Sequence, residues 1–141
     1  MKQCIYSQAI ADVAGNGISG TVWLHQQDNG VLVTAQISGL PRDGFFAFHI
    51  HEGSDCGGKG FADTGAHFNP AGVLHPNHAG DLPPLLAGRG KAYLSVLTDR
   101  FCVEDVIGRT VVIHGGVDDF TTQPAGNAGE KIACGVIRRR W

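Results

Sequence analysis

Apolar and polar positions alternate with a period of two over several short runs, each bounded by Gly, Pro, Asn or Asp. These are "GTVWLHQQ" (20–27), "VLVTAQISGL" (31–40), "FFAFHIH" (45–51), "KAYLSVLT" (91–98), "RTVVIHG" (109–115) and "KIACGVI" (131–137). A period of two places successive side chains on opposite faces, the signature of a strand with one face packed. The opening segment "MKQCIYSQAIADV" (1–13) reads as a further strand, and "QDNG" (27–30) as a tight hairpin turn whose Asn-Gly supplies φ > 0. Short strands at this spacing predict an all-β fold, a sandwich or barrel of Greek-key type. The length of 141 residues suits one domain spanning 1–141.

Composition agrees with that pattern: 43% of residues are hydrophobic and only 17% charged, with 21 glycines and 6 prolines for the turns. The formal net charge of −2 offers no broad basic surface, so neither nucleic acid nor an anionic membrane is an expected partner. The one basic run, Arg138, Arg139 and Arg140, reads as a solvated tail. No stretch approaches the roughly 18 apolar residues of a membrane span. The N-terminal segment lacks the sustained apolar core and cleavage site of a secretion signal, so the expected compartment is the cytoplasm, with export the alternative if a leader has been removed. Four scattered cysteines, Cys4, Cys56, Cys102 and Cys134, with no CxxC, allow at most one structural bridge.

Two stretches break the alternation. From Gly53 to about Gly90 runs a roughly forty-residue segment of Gly, Pro, Asp, Asn and His, far longer than an ordinary connection. "GGVDDFTTQPAGNAGE" (115–130) is shorter and similar in texture. Loops of this kind in a small domain need something to order them. Six of the seven histidines lie in or beside them: His49, His51, His67, His75, His78 and His114. The seventh, His25, reads as a solvated residue of an edge strand.

His49 and His51 share one face of a strand about 6.6–7 Å apart, so two imidazoles can converge on one ion. Alone, such a pair is as readily a surface or hydrogen-bonded pair. "HEGSD" is no HExxH motif, because the fifth residue is Asp55 and the segment is not helical. His67, His75, His78 and Asp81 fall within "HFNPAGVLHPNHAGD", and three imidazoles with a carboxylate suit a tetrahedral zinc site that would also fix the loop. The alternative, four independently exposed polar side chains, explains their clustering less well. His114 ends an apolar strand, where an imidazole is either bonded to backbone or completes a nitrogen-rich site with His49 and His51.

Taken in order, "FHIHEGSDC", "GAHFNPAGVLHPNHAGDLP", "GRTVVIHGGVDD" and "GNAGEKIACGVI" resemble the Cu/Zn superoxide dismutase family, in its bacterial short-loop form, over residues 45–137. The resemblance implies an eight-stranded Greek-key β-barrel or sandwich with a long metal-binding loop and a shorter active-site loop. It implies copper on His49, His51, His67 and His114, zinc on His67, His75, His78 and Asp81, and His67 as the shared imidazolate and proton donor. It places Asp118 as the carboxylate orienting a copper-site and a zinc-site histidine. It pairs Cys56 with Cys134, leaving Cys4 and Cys102 unpaired. The implied activity is dismutation of superoxide, an antioxidant function, with a homodimer as a candidate assembly.

This sequence departs from the family pattern in two places. Where the family usually carries an arginine over the copper, three residues before the second bridged cysteine, stands Lys131. Lysine keeps the charge but not the planar fork, so activity with weaker anion docking is expected. Read from the residues alone, Lys131 is an exposed charge beside Glu130. The second departure is "FTTQPAGNAG", which carries no charge to steer an anion and leaves Lys59 as a candidate contributor. Two rivals remain: a zinc-only or copper-delivery domain of the same fold, which would lack a copper ligand, and a cupin-type barrel. The latter needs a Glu several residues after the histidine pair, whereas Glu52 follows at once and points to the opposite face.

Overall fold

The computed structural model describes residues 3–140; Met1, Lys2 and Trp141 lie outside the described residues. The strands are β1 (Gln8–Gly15), β2 (Ile18–Gln27), β3 (Gly30–Ser38), β4 (Gly44–Phe46), β5 (Phe48–His51), β6 (Leu85–Gly88), β7 (Lys91–Thr98), β8 (Thr110–His114), β9 (Lys131–Val136) and β10 (Arg138–Arg140). A single-turn helix, α1 (Val103–Val106), precedes β8, and a 3-10 segment covers Lys59–Thr64.

All pairings between these strands are antiparallel, in the order β4-β6-β7-β3-β2-β1-β9-β8-β5, with β10 also on β1. β4 and β5 are one run interrupted only at Ala47, and β9 and β10 one run interrupted only at Ile137. Counted as continuous runs, the strands number eight. Because β4 pairs with β6 while β5 pairs with β8, that run joins both ends of the order and closes the barrel. Ala47 bridges the change of partner: its N–H donates to the Gly116 carbonyl and its carbonyl accepts from His114 N–H, both at 2.9 Å. Hairpins link β1 to β2, β2 to β3, β6 to β7 and β8 to β9, while β3 to β4 and β7 to β8 cross the barrel in the Greek-key manner.

The interior is filled from every wall, with Val22, Leu24, Val33, Ile37, Phe46, Phe48, Ile50, Leu85, Val111 and Ile113 all buried. Each such side chain contributes roughly 1.5–3 kcal/mol when taken from water, which accounts for a closed barrel with so little helix.

Several expectations need correction. The first strand starts at Gln8, not at the terminus, and ends at Gly15 in a turn where Asn16 (φ 46°) and Gly17 (φ 83°) both take positive φ, the I′ hairpin geometry. The long loop contains β6, a four-residue strand just after Pro83-Pro84. His25 sits on β2, which is paired on both sides and is no edge; half-exposed, its ring meets the Tyr6 hydroxyl at 3.2 Å. The basic tail is strand β10, with Arg138 paired to Asp12 and Arg139 to Glu104, each at 2.9 Å. Finally, Cys4 and Cys102 are not free: they form a second disulfide beside Cys56–Cys134.

Candidate metal centre

β5 departs from the half-buried strand that its alternation predicts. Phe48 and Ile50 face the core, and His49 and His51, on the other face, are buried as completely. The cover comes from the long loop, which lies along the edge of β5 that β8 leaves open. Ile50 N–H donates to the Gly80 carbonyl, Phe68 N–H to Ile50 and Glu52 N–H to Ala66, each at 2.8 Å. His67 and Asp81 are thereby set opposite His51 and His49 as isolated bridges. The loop's own backbone therefore finds its partners on the strand that carries the histidines, which explains how a segment with no periodicity acquires order.

Four of the imidazoles have one nitrogen anchored. His49 Nε2–H donates to Asp118 Oδ2 and His75 Nε2–H to Asp118 Oδ1, both at 2.8 Å. His51 Nδ1–H donates to the Gly65 carbonyl at 2.8 Å and His114 Nδ1–H to the Gly129 carbonyl at 3.1 Å. The other nitrogens turn inward. His51 Nε2 and His114 Nε2 lie 3.1 Å apart, while His49 Nδ1 and His67 Nε2 are buried with no hydrogen-bond partner. Donor atoms of His49, His51, His67 and His114 all fall within 4.8 Å of one another.

A second set adjoins the first. Asp81 Oδ1 lies 2.9 Å from His67 Nδ1, and Asp81 Oδ2 lies 3.0 Å from His75 Nδ1 and 3.2 Å from His78 Nδ1. His67 Nδ1 and His78 Nδ1 are 3.2 Å apart. His75 Nδ1 and Asp81 Oδ1 nonetheless make no aligned hydrogen bond. Buried polar atoms this close and still unpaired form a donor set that could hold a shared cation. His49 also brings a ring nitrogen within 4.8 Å of donor atoms of His67, His75 and Asp81. Its Nε2 is occupied by Asp118, so it has one nitrogen to give, whereas His67 presents Nδ1 to one set and Nε2 to the other.

The electrostatics suit cations. Burial first, then the neighbouring rings, lowers His49 to about 2; burial likewise lowers His51 to about 2 and His114 to about 4. These rings are neutral, as ligands must be. His78 is also lowered, chiefly by burial. Burial pushes Asp81 up, but the close His67 ring, with those of His75 and His78, outweighs this and holds it below the usual carboxylate range. Lys131, half-buried at the start of β9 and paired in register with His114, is lowered by burial. Its ammonium donates to Thr64 Oγ1 at 2.7 Å and the Gly65 carbonyl at 2.9 Å, so it is not the exposed neighbour of Glu130 that the residues alone suggest. Lys59 is exposed on the 3-10 segment.

Some participants leave no mark in the sequence pattern. Gln123 clasps the His75 backbone, accepting from its N–H at 2.9 Å and donating to its carbonyl at 2.8 Å, and so ties the two loops together. Arg100 donates to the carbonyls of Pro76 at 2.7 Å and His78 at 3.1 Å. Gly126 (φ 71°) lies against the bridging carboxylate: a Cβ there would fall 2.1 Å from Asp118 Oδ1 and 2.5 Å from His75 Nε2.

Two adjoining donor sets, one all imidazole and one with a carboxylate, roofed by the loops of a closed antiparallel barrel, make this a β-barrel protein of the two-metal class. The model of the copper/zinc superoxide dismutase family matches residues 18–137. Superoxide dismutase [Cu-Zn] 2 of Aquifex aeolicus is 38% identical over 86% of this chain and 80% of that relative. Superoxide dismutase [Cu-Zn] of Caulobacter vibrioides is 36% identical over 89% and 82%, and superoxide dismutase [Cu-Zn] 5 of Dictyostelium discoideum 35% identical over 92% and 95%. A crystal structure of the clock protein EA4 superposes with a TM-score of 0.85 at 34% identity, covering 98% of this chain and 99% of that one. The chain belongs to the copper/zinc superoxide dismutase family.

Proposed function

We propose that the all-imidazole set holds copper through His49 Nδ1, His51 Nε2, His67 Nε2 and His114 Nε2. The adjoining set holds zinc through His67 Nδ1, His75 Nδ1, His78 Nδ1 and Asp81. Four nitrogens suit Cu(II), and the three-nitrogen, one-oxygen set suits tetrahedral zinc. The observation that carries this reading is His67, whose two nitrogens face the two sets. Asp118 would hold the rings of His49 and His75 in orientation together.

The chain is a copper/zinc superoxide dismutase, serving antioxidant defence, and superoxide is its substrate. Copper supplies one-electron cycling between Cu(II) and Cu(I), by which one superoxide is oxidised to O₂ and a second, with two protons, is reduced to hydrogen peroxide. His67 Nε2, buried and without a protein partner, is the atom placed to hold one of those protons when it is free of other bonds. Lys131 supplies the positive charge that draws the anion in, with looser docking than an arginine would give. Metal analysis and a superoxide assay test the assignment. One copper and one zinc per chain with cyanide-sensitive dismutation supports it, and zinc alone with no activity after copper loading overturns it. Lys131→Gln should slow the rate and flatten its dependence on ionic strength, with Lys131→Arg retaining both; an unchanged Gln variant removes Lys131 from this role.

One domain spans 1–141, since every element from β1 to β10 joins one barrel. Among the described residues no helix is long and apolar enough to cross a membrane, and two disulfides fit an oxidising compartment better than the cytoplasm, which favours the exported alternative. A homodimer is supported by the exposed apolar row of Phe45, its cross-strand partner Leu86, and Tyr93 on β7. Sedimentation of the wild type and of Leu86→Lys tests it: a monomeric wild type rules it out.

A further inference from the structure

The ammonium of Lys131 is not free in the solvent above the imidazoles. Two of its three N–H groups are committed to the Thr64 hydroxyl at 2.7 Å and the Gly65 carbonyl at 2.9 Å. Both acceptors are themselves fixed. Thr64 is fully buried, and its hydroxyl proton goes to the Phe61 carbonyl at 2.9 Å, which turns an oxygen lone pair toward the amine. Its backbone carbonyl is bonded to Gly53 N–H at 2.8 Å. The Gly65 carbonyl also accepts from His51 Nδ1–H at 2.8 Å, so one oxygen sets the cation and a copper-site ring relative to each other. The Cys56–Cys134 disulfide joins the same loop to β9 three residues beyond Lys131, so anchor and anchored group belong to one covalently closed unit.

A lysine has a flexible four-carbon stem and a rotatable point charge, whereas a guanidinium carries its own planar array of donors. A lysine at an anion-docking position therefore needs a fixed acceptor to define where its charge sits. We infer that Thr64 is a positioning residue for substrate: with Gly65 it pins the Lys131 ammonium so that the third N–H remains for an incoming monovalent anion. The inference rests on the reading of Lys131 as the docking charge. The Thr64–Lys131 pair then takes the place of an arginine fork.

The test uses azide, a small monovalent anion that coordinates Cu(II), titrated by absorbance into holoenzyme with one copper and one zinc per chain confirmed for each variant. Thr64→Val, nearly isosteric but without the hydroxyl, should raise the azide dissociation constant about threefold to tenfold, the loss of one modest hydrogen bond. Thr64→Ser should change it less than about twofold, and in a Lys131→Arg background Thr64→Val should again matter less than about twofold, because the fork no longer needs the hydroxyl. The ionic-strength dependence of kcat/KM should follow the same order. If Lys131→Gln weakens azide and Thr64→Val does not, the positioning role is wrong and the docking role stands. If Lys131→Gln leaves azide unchanged, the docking role itself is wrong. Should Thr64→Val perturb the loop, Thr64→Ala carries the same test, and loss of metal from both would make Thr64 a loop-folding residue and overturn the inference.

Discussion

On the wall formed by β2, β3 and β7, outward side chains meet solvent; on the wall formed by β5 and β8 they meet loops. β3 alternates buried and more exposed positions along most of its length, whereas every residue of β5 and β8 is buried. The two walls pack inward alike, with Val33 and Ile37 on one and Phe48 and Ile113 on the other. They differ on the outer face, where Thr34 and His25 are half-exposed while His49, His51, Thr110 and His114 are sealed. A polar group sealed in this way is costly unless it finds a partner. The covered wall meets that requirement by bonding His49, His51, His75 and His114 once each to the protein and gathering the remaining nitrogens into two sets that could each hold a cation. The loops are therefore as dependent on the site as the site is on the loops.

The most damaging change should be one that severs both donor sets. His67→Ala removes the only ring with nitrogens facing each, so we expect zinc to be lost and activity to fall by more than about a hundredfold, beyond what loss of an outer-sphere partner costs. Metal content and a superoxide assay measure it. Retention of both metals would show that the sets are independent and dissolve the contrast between the walls.

The two disulfides divide along the same line. Cys4–Cys102 fastens the N-terminal segment to the start of α1, whereas Cys56–Cys134 joins the long loop, which carries His67, His75, His78 and Asp81, to β9. Removing either pair by Cys→Ala should cost about 2–5 kcal/mol in denaturant unfolding. Only the Cys56–Cys134 variant should also lose metal and activity. If the Cys4–Cys102 variant does so too, the open side contributes to the site in a way its geometry does not show.

Acid should act on the covered wall first. His49 and His51, held near 2 by burial and by the neighbouring rings against the opposing pull of the His51–Gly65 bond, and His114, near 4, are neutral when folded and free to take protons near 6.5 when unfolded. The unfolded chain thus binds more protons below that value, so the metal-free protein should lose stability as pH falls from about 6.5 towards 4 and gain none above it. Urea midpoints measured across that range check the sign. A midpoint that is flat between pH 7 and 4 would mean that the rings take up protons alike in the folded and unfolded chain, and that the cluster is open to water.

A finer probe is Gly126. Its φ of 71° is unfavourable for other residues, and an added Cβ would strike Asp118 Oδ1. Gly108 (φ 87°) has open space instead, so Gly108→Ala is the control for backbone strain alone. Gly126→Ala should weaken zinc about ten- to a hundredfold in chelator competition, with Gly108→Ala unaffected. In an Asp118→Ala background the Gly126 effect should shrink, since the atom it strikes is gone.

The open wall was the readable part of the chain. β7 has the bounds expected of it and β3 differs by a residue or two, because their alternation is imposed by core on one side and water on the other. β6 escaped notice because four residues after two prolines carry too little period. The break at Ala47 escaped because a change of strand partner leaves side-chain alternation intact. The Cys4–Cys102 bridge joins residues 98 apart, a pairing that no local pattern encodes. At the centre, the histidines and Asp81 declared themselves by residue type and spacing, while the roles of Asp118 and of His67 between two sets came only with the family resemblance. Thr64, Gln123 and Gly126 did not declare themselves, since a single hydrogen bond or a missing Cβ has no periodic trace.

The smallest effect gives the cleanest comparison, because it asks for the same chemical change on each wall. Thr110 is fully buried on β8, and its hydroxyl donates to the Gly53 carbonyl at 3.0 Å, at the root of the long loop. Thr34, on β3, is half-exposed and its hydroxyl only brushes Ser95 Oγ at 3.4 Å. Replacing threonine by valine keeps shape and β-propensity and removes one hydroxyl. At Thr110 it leaves a part-buried carbonyl without its partner, a loss of about 1–3 kcal/mol. At Thr34 water replaces the partner, and the change should stay within about 0.5 kcal/mol. Urea unfolding of the metal-free variants decides the matter without help from bound ions. Equal costs at the two sites would mean that the loop opens readily when the metals leave, and that the cover over β5 and β8 is supplied by the cations rather than by the chain.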